Sequence, residues 1–108
     1  MTEVTVIAKA RAKPGREAEL ERILRVVIGP THQETGCRLY ALHRGLEDRN
    51  LFVMIERWTS KDDLDRHLAT AHVQALFQAI PDLVATPPEI VAFEHVPVGL
   101  PGKERLGS

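Results

Sequence analysis

Along this chain the spacing of apolar residues switches between a period of two and a helical period, and the order of the switches leaves few folds open. Val4–Arg11 is β-branched and alternating, which predicts a first strand. Lys13-Pro14-Gly15 breaks it. Leu20, Ile23, Leu24 and Val27 then share one helical face, so a helix is predicted over 18–28, stopped by Gly29-Pro30. Cys37–Arg44 alternates again, and 47–50 is a polar turn. Leu51–Trp58 is nearly all apolar and predicts a central strand buried on both faces, paired with its predecessor as an antiparallel hairpin.

The second half repeats the switch. Thr59-Ser60 offers a hydroxyl cap for a second helix, and Asp62 and Asp63 suit the positive end of its dipole. Leu64, His67, Leu68 and Ala71 share its inner face. Thr70 is placed to cap a following helix, which Pro81 ends or kinks. Residues 89–96 alternate as a last strand. The order predicts an α+β fold of ferredoxin-like βαββαβ type, a four-stranded antiparallel sheet with helices on one face only. The bare face calls for a cover, and the sheet of a second copy is the simplest one.

Length and charge narrow the function. At 108 residues the chain fits one domain, expected over residues 1–98, with a Gly-, Pro- and charge-rich flexible tail at 99–108. A formal charge of −1 gives no electrostatic footprint for nucleic acid or an anionic membrane, so neither is expected as a partner. No apolar run is long enough to span a bilayer, and no signal-peptide pattern opens the chain. The single cysteine, Cys37, has no partner for an intrachain disulfide, which fits a cytoplasmic protein and an inert thiol.

The chemically useful side chains gather between positions 52 and 72. Strand alternation places Phe52, Met54, Glu56 and Trp58 on one face and Val53, Ile55 and Arg57 on the other. A carboxylate among apolar residues needs a partner. Glu56 is therefore either a structural hydrogen-bonding group or an acid–base group. Trp58 is a core anchor or a cavity wall, and these two readings are compatible. His67, on an inward helical face, is suited to a general base near neutral pH or to a satisfied core position. Tyr40, expected on one face with Arg38, is a donor to a substrate oxygen or a core residue. His67 and His72 stand five apart, so one continuous helix would separate them, and no metal site is expected. His32, His43 and His95 have no readable role.

Lys13-Pro14-Gly15, Glu34-x-Gly36-Cys37-x-x-Tyr40, Glu56-x-Trp58-x-Ser60 and His67-x-x-x-x-His72 occur in an order that resembles the antibiotic biosynthesis monooxygenase family, nearest its quinol monooxygenase branch. The resemblance covers roughly positions 4–96. It implies a dimeric α+β barrel, a homodimer built through sheet faces, with a cavity between sheet and helices. It implies oxidation of a small aromatic or quinol-like ligand by dioxygen with no cofactor. Heme is not implied: the first strand carries Lys9 and no Asn, and His67 and Phe77 stand where heme-degrading relatives have Trp and His. On this resemblance His67 is the base or hydrogen-bond partner and Trp58 shapes the cavity. Tyr40 or Glu56 orients the substrate, and His72 is a further ligand contact. The competing expectation is a non-catalytic small-molecule-binding or stress-associated dimeric module of the same fold.

Overall fold

The computed structural model describes residues 2–107; Met1 and Ser108, the outer ends of the expected domain and tail, lie outside it. The elements are β1 (Val4–Arg11), α1 (Glu17–His32), β2 (Cys37–Arg44), β3 (Leu51–Trp58), α2 (Lys61–Leu68), α3 (Ala71–Ala79) and β4 (Glu89–Glu94). The sheet is antiparallel throughout, in the order β2-β3-β1-β4, as expected for a ferredoxin-like α+β chain.

The core lies between one sheet face and the helices. Val6, Ala10, Phe52, Met54 and Trp58 point into it from the central strands, and Leu20, Leu24, Val27, Leu64, Val73 and Leu76 meet them from the helices. The expected alternation of β3 holds on this face, where Phe52, Met54, Glu56 and Trp58 are all buried. On the opposite face Leu51, Val53 and Ile55 are only half-buried within one chain, so the expected burial on both faces is not met there. Arg57 is the exception on that face: it is buried because Glu3 accepts from its guanidinium Nε at 2.8 Å and the Leu106 carbonyl accepts from Nη1 at 2.7 Å. The C-terminal stretch thus returns along the outer face, where His95 also meets Glu104 at 3.1 Å.

Three local expectations are corrected. Gly29-Pro30 does not stop α1, which runs on to His32 with Pro30 inside it. Proline removes one helical N–H, yet the last turn is held by the fully buried Thr31 and by His32, whose Nε2 lies 2.9 Å from the Tyr40 carbonyl. Arg38 and Tyr40 do not share a face. A bulge between Cys37 and Leu39 shifts the register, leaving Arg38 exposed and 4.0 Å from outer-face Glu3 while Tyr40 turns into the core. The last strand ends at Glu94 rather than at Val96.

The remaining signals act as the chemistry of their residues dictates. Ser60 caps α2 by accepting from the Asp63 amide, and Thr70 caps α3 by accepting from the Val73 amide. Pro81 ends α3, and the chain continues as a 3-10 turn over Ile80–Asp82. Among the described residues no helix is long and apolar enough to cross a membrane.

Candidate functional site

Two strands and the break between two short helices build the site. Cross-strand pairing sets Glu56 opposite Val6 on one side and Tyr40 on the other, so both polar side chains leave the sheet on its helical face. Trp58, fully buried, donates its indole Nε1–H to Glu56 Oε1 at 2.9 Å. Above them the ring of His67 lies 4.4 Å from that of Trp58 and 5.3 Å from that of Tyr40, measured between centroids. His67 is only 2% exposed.

The fourth polar group comes from the loop after α1. The Glu34 amide donates to the Thr31 carbonyl and its carbonyl accepts from the Cys37 amide, which fixes the turn. Glu34 Oε2 then lies 2.9 Å from His67 Nδ1 and 2.8 Å from His72 Nε2. A spacing of five separates two histidines only on one continuous helix, and here there are two. The chain breaks at Ala69 and Thr70, whose hydroxyl donates to the His67 carbonyl at 2.7 Å, and the restart swings His72 back beside His67. Gly36 makes the loop's approach possible, because a Cβ there would collide with the side chain of Asp63.

These three residues bring donor atoms within 4.8 Å of one another, a set that strand and helix periodicity did not anticipate. Their spacing is that of hydrogen bonds. One carboxylate oxygen sits under 3 Å from both imidazole nitrogens, whereas ligands about 2.0–2.1 Å from a tetrahedral ion stand roughly 3.3 Å apart. Glu34 was visible in the sequence only as one letter of the family resemblance.

The electrostatics follow from burial and from Glu34. Burial, against the donated Trp58 hydrogen bond and with the Glu34 charge, raises the Glu56 carboxyl to about 7. Burial also raises the Tyr40 phenol, helped by Glu56 and Glu34, so it stays protonated and able to donate. Burial lowers His67, more than the bond to Glu34 raises it, so the ring favours its neutral form. The half-buried Cys37 thiol is pushed up to about 11, chiefly by burial, which is the inert behaviour expected of it.

His67, Glu56 and Tyr40, with the exposed Lys9, are the polar groups lining a largely apolar cavity walled by Met54, Leu64, Leu76 and Phe77. Its volume is about 50 Å³. Trp58 is not at its surface but behind Glu56 and His67, and His72 faces a separate groove beside α1. The structure therefore joins His67, Glu56 and Tyr40 around one space, with Trp58 and His72 supporting them from behind. His32 ties α1 to β2, His95 meets Glu104, and His43 stays near its own strand, 3.1 Å from the Ala41 carbonyl.

The sequence pattern described as antibiotic biosynthesis monooxygenase matches residues 3–79. The chain belongs to that family. It is 36% identical over 89 residues to a protein of Escherichia coli named as a probable quinol monooxygenase, YgiN, covering 71% of this chain and 84% of that one. It is 28% identical over 91 residues to the uncharacterized protein sll1783 of Synechocystis, a match spanning 84% of this chain and 62% of that protein. The crystal structure of PA3566 from Pseudomonas aeruginosa superposes with a TM-score of 0.83 at 34% identity, over 89% of this chain and 96% of that one. The fold and the family expected from the ordered motifs are thus both met, and the family's relatives include proteins named as monooxygenases.

Proposed function

We propose that this protein is a cofactor-independent monooxygenase that oxidises a small quinol-like or phenolic compound with dioxygen, acting as a homodimer through its outer sheet face. One observation carries the reading: a buried, neutral imidazole meets a near-neutral carboxyl and a phenol around a single, largely apolar cavity. His67 takes the proton of a ring hydroxyl, breaking O–H and forming N–H. The resulting electron-rich anion gives electrons to dioxygen and forms a ring C–O bond. Loss of water from the ring hydroperoxide leaves a hydroxyquinone. The quinol supplies all four electrons that reduce dioxygen: one oxygen atom stays on the ring and the other departs in water. Glu56 and Tyr40 hold the substrate oxygens, and the apolar walls exclude solvent.

The outer face supports the proposed dimer. Ala41, Ile55, Ile7 and Val91 stand in register across all four strands, and Val91 and Phe93 are about half exposed. A second sheet would cover that band.

A second reading, ligand binding without turnover, draws on the cavity's size. At about 50 Å³ it is smaller than the roughly 150 Å³ that admits benzene to an apolar cavity, so a ring enters only if the wall yields. The half-buried Leu68 and Phe77 on the short helices are the side chains placed to move. Oxygen uptake by metal-free protein with a panel of quinols separates the readings. The proposal expects uptake above autoxidation that falls ~100-fold or more in folded His67→Ala, the scale of a lost general base. Unchanged turnover in that variant would remove His67 from the mechanism, and ligand binding with no uptake across the panel would favour the second reading.

A further inference from the structure

The geometry points to Glu34 as the positioning residue that selects the base-competent tautomer of His67, with His72 fastening Glu34 in place. This rests on the reading of His67 as the base. An ionised carboxylate only accepts hydrogen bonds, so the nitrogen that faces Glu34 Oε2 at 2.9 Å, Nδ1, carries the hydrogen. A neutral imidazole has one hydrogen, and Nε2 is left with its lone pair free. Among the described residues no hydrogen-bond partner engages that nitrogen, and the ring lines the cavity. Free histidine prefers the opposite tautomer, with hydrogen on Nε2, which could not take a proton from a substrate there. Glu34 reverses that preference.

The same oxygen accepts from His72 Nε2 at 2.8 Å. Two donors on one oxygen fix the carboxylate's position better than one, and His72 sits where α3 restarts, close to its Thr70 cap. When His67 takes a proton at Nε2, the imidazolium keeps its Nδ1–H on Glu34, so the new positive charge forms beside an existing negative one. The other groups facing His67 are Tyr40 from β2, Trp58 from β3 and His72 from α3. Tyr40 stays protonated, and Glu56, which shares the cavity, is not among the groups that shift His67, so among the described residues Glu34 is the carboxylate hydrogen-bonded to the ring.

Nitrogen-15 NMR of labelled protein reads the tautomer directly and needs no substrate. In the wild type near pH 7.5 the expected pattern for His67 is a protonated Nδ1 and a bare Nε2. In Glu34→Gln the amide offers N–H to Nδ1, and the pattern inverts. With a substrate found by oxygen uptake, the same variant should lose kcat by ~10²–10⁴-fold with little change in KM, as expected when a base is held in the wrong tautomer. The acid limb of the wild-type pH–rate profile should move down by roughly one unit in Glu34→Asp, if lengthening the contact weakens the charge pairing. His72→Gln, which keeps an N–H for Glu34, should retain more activity than His72→Leu. A wild-type His67 protonated on Nε2 would overturn the proposal, whatever any variant does. So would stoichiometric zinc or iron in purified protein by mass spectrometry, because the three groups would then be ligands. Absence of turnover with the expected tautomer intact would count against the monooxygenase reading and leave the assignment of Glu34 standing.

Discussion

Glu56 makes the fold pH-sensitive in a direction opposite to most carboxylates. Its carboxyl moves from an ordinary 4.5 to about 7 because burial penalises the charged form more than the Trp58 hydrogen bond favours it. Below pH 4.5 the group is protonated in both folded and unfolded chains and has no effect on their balance. Between 4.5 and about 7 the folded chain holds the proton and the unfolded chain has lost it. Stability therefore falls as pH rises through this window, and above it the full penalty remains. At about 1.4 kcal/mol per pH unit the penalty is about 3 kcal/mol. Glu56→Gln removes the ionisation while an amide oxygen can still accept from Trp58. Urea unfolding of both proteins at pH 4.5 and pH 8 is the assay. The variant should match the wild type to within about 1 kcal/mol at the acid end, an allowance for the altered hydrogen bond. It should be more stable by about 3 kcal/mol at the alkaline end. His67 titrates in the same range with the opposite sign: its lowered value gives stability above 6.5 that is lost as pH falls. Glu56 is not among the groups that shift His67, so that contribution cancels in the difference between the two proteins. A stability difference independent of pH would refute the argument that burial holds Glu56 protonated.

Two further outcomes test the scaffold. Gly36→Ala should cost about 1–3 kcal/mol, because its Cβ would meet Asp63 at the start of α2 and force the loop carrying Glu34 away from the helix; thermal unfolding measures the loss, and an unchanged midpoint would show that the approach is not tight. Val91→Asp places a charge in the middle of the outer apolar band without touching the cavity. If that band is the dimer contact, sedimentation should show a dimer of the wild type and a concentration-dependent shift to monomer in the variant.

The elements were legible because each depends on a short-range rule. Period two gave β1, β2 and β4, a short apolar run gave β3, the Ser60 and Thr70 hydroxyls gave the starts of α2 and α3, and Pro81 gave the end of α3. Where a local rule met a tertiary contact, the contact prevailed. Gly29-Pro30 reads as a stop, but burial of Thr31 and the bond from His32 to β2 carry α1 one turn further. That extra turn matters to the site, because it sets where the following loop begins.

The inward face of β3 and the inward position of His67 were readable for the same reason, since periodicity reports which side of an element is buried. What periodicity does not report is how two elements distant in sequence meet. His67 and Glu34 are 33 positions apart, and their contact needs the extended α1, the turn closed by Cys37 and the absence of a Cβ at Gly36. The helix break at Ala69 and Thr70 was legible as a cap, yet its consequence, that residues 67 and 72 converge, follows only when both are placed against the loop. The same logic explains Trp58. Its burial was predicted, but whether a buried ring faces a cavity or lies behind another side chain depends on what occupies the next layer. Here Glu56 and His67 occupy it. Trp58 therefore acts on the cavity through Glu56, by supplying the hydrogen bond that keeps this carboxyl near 7 rather than higher still.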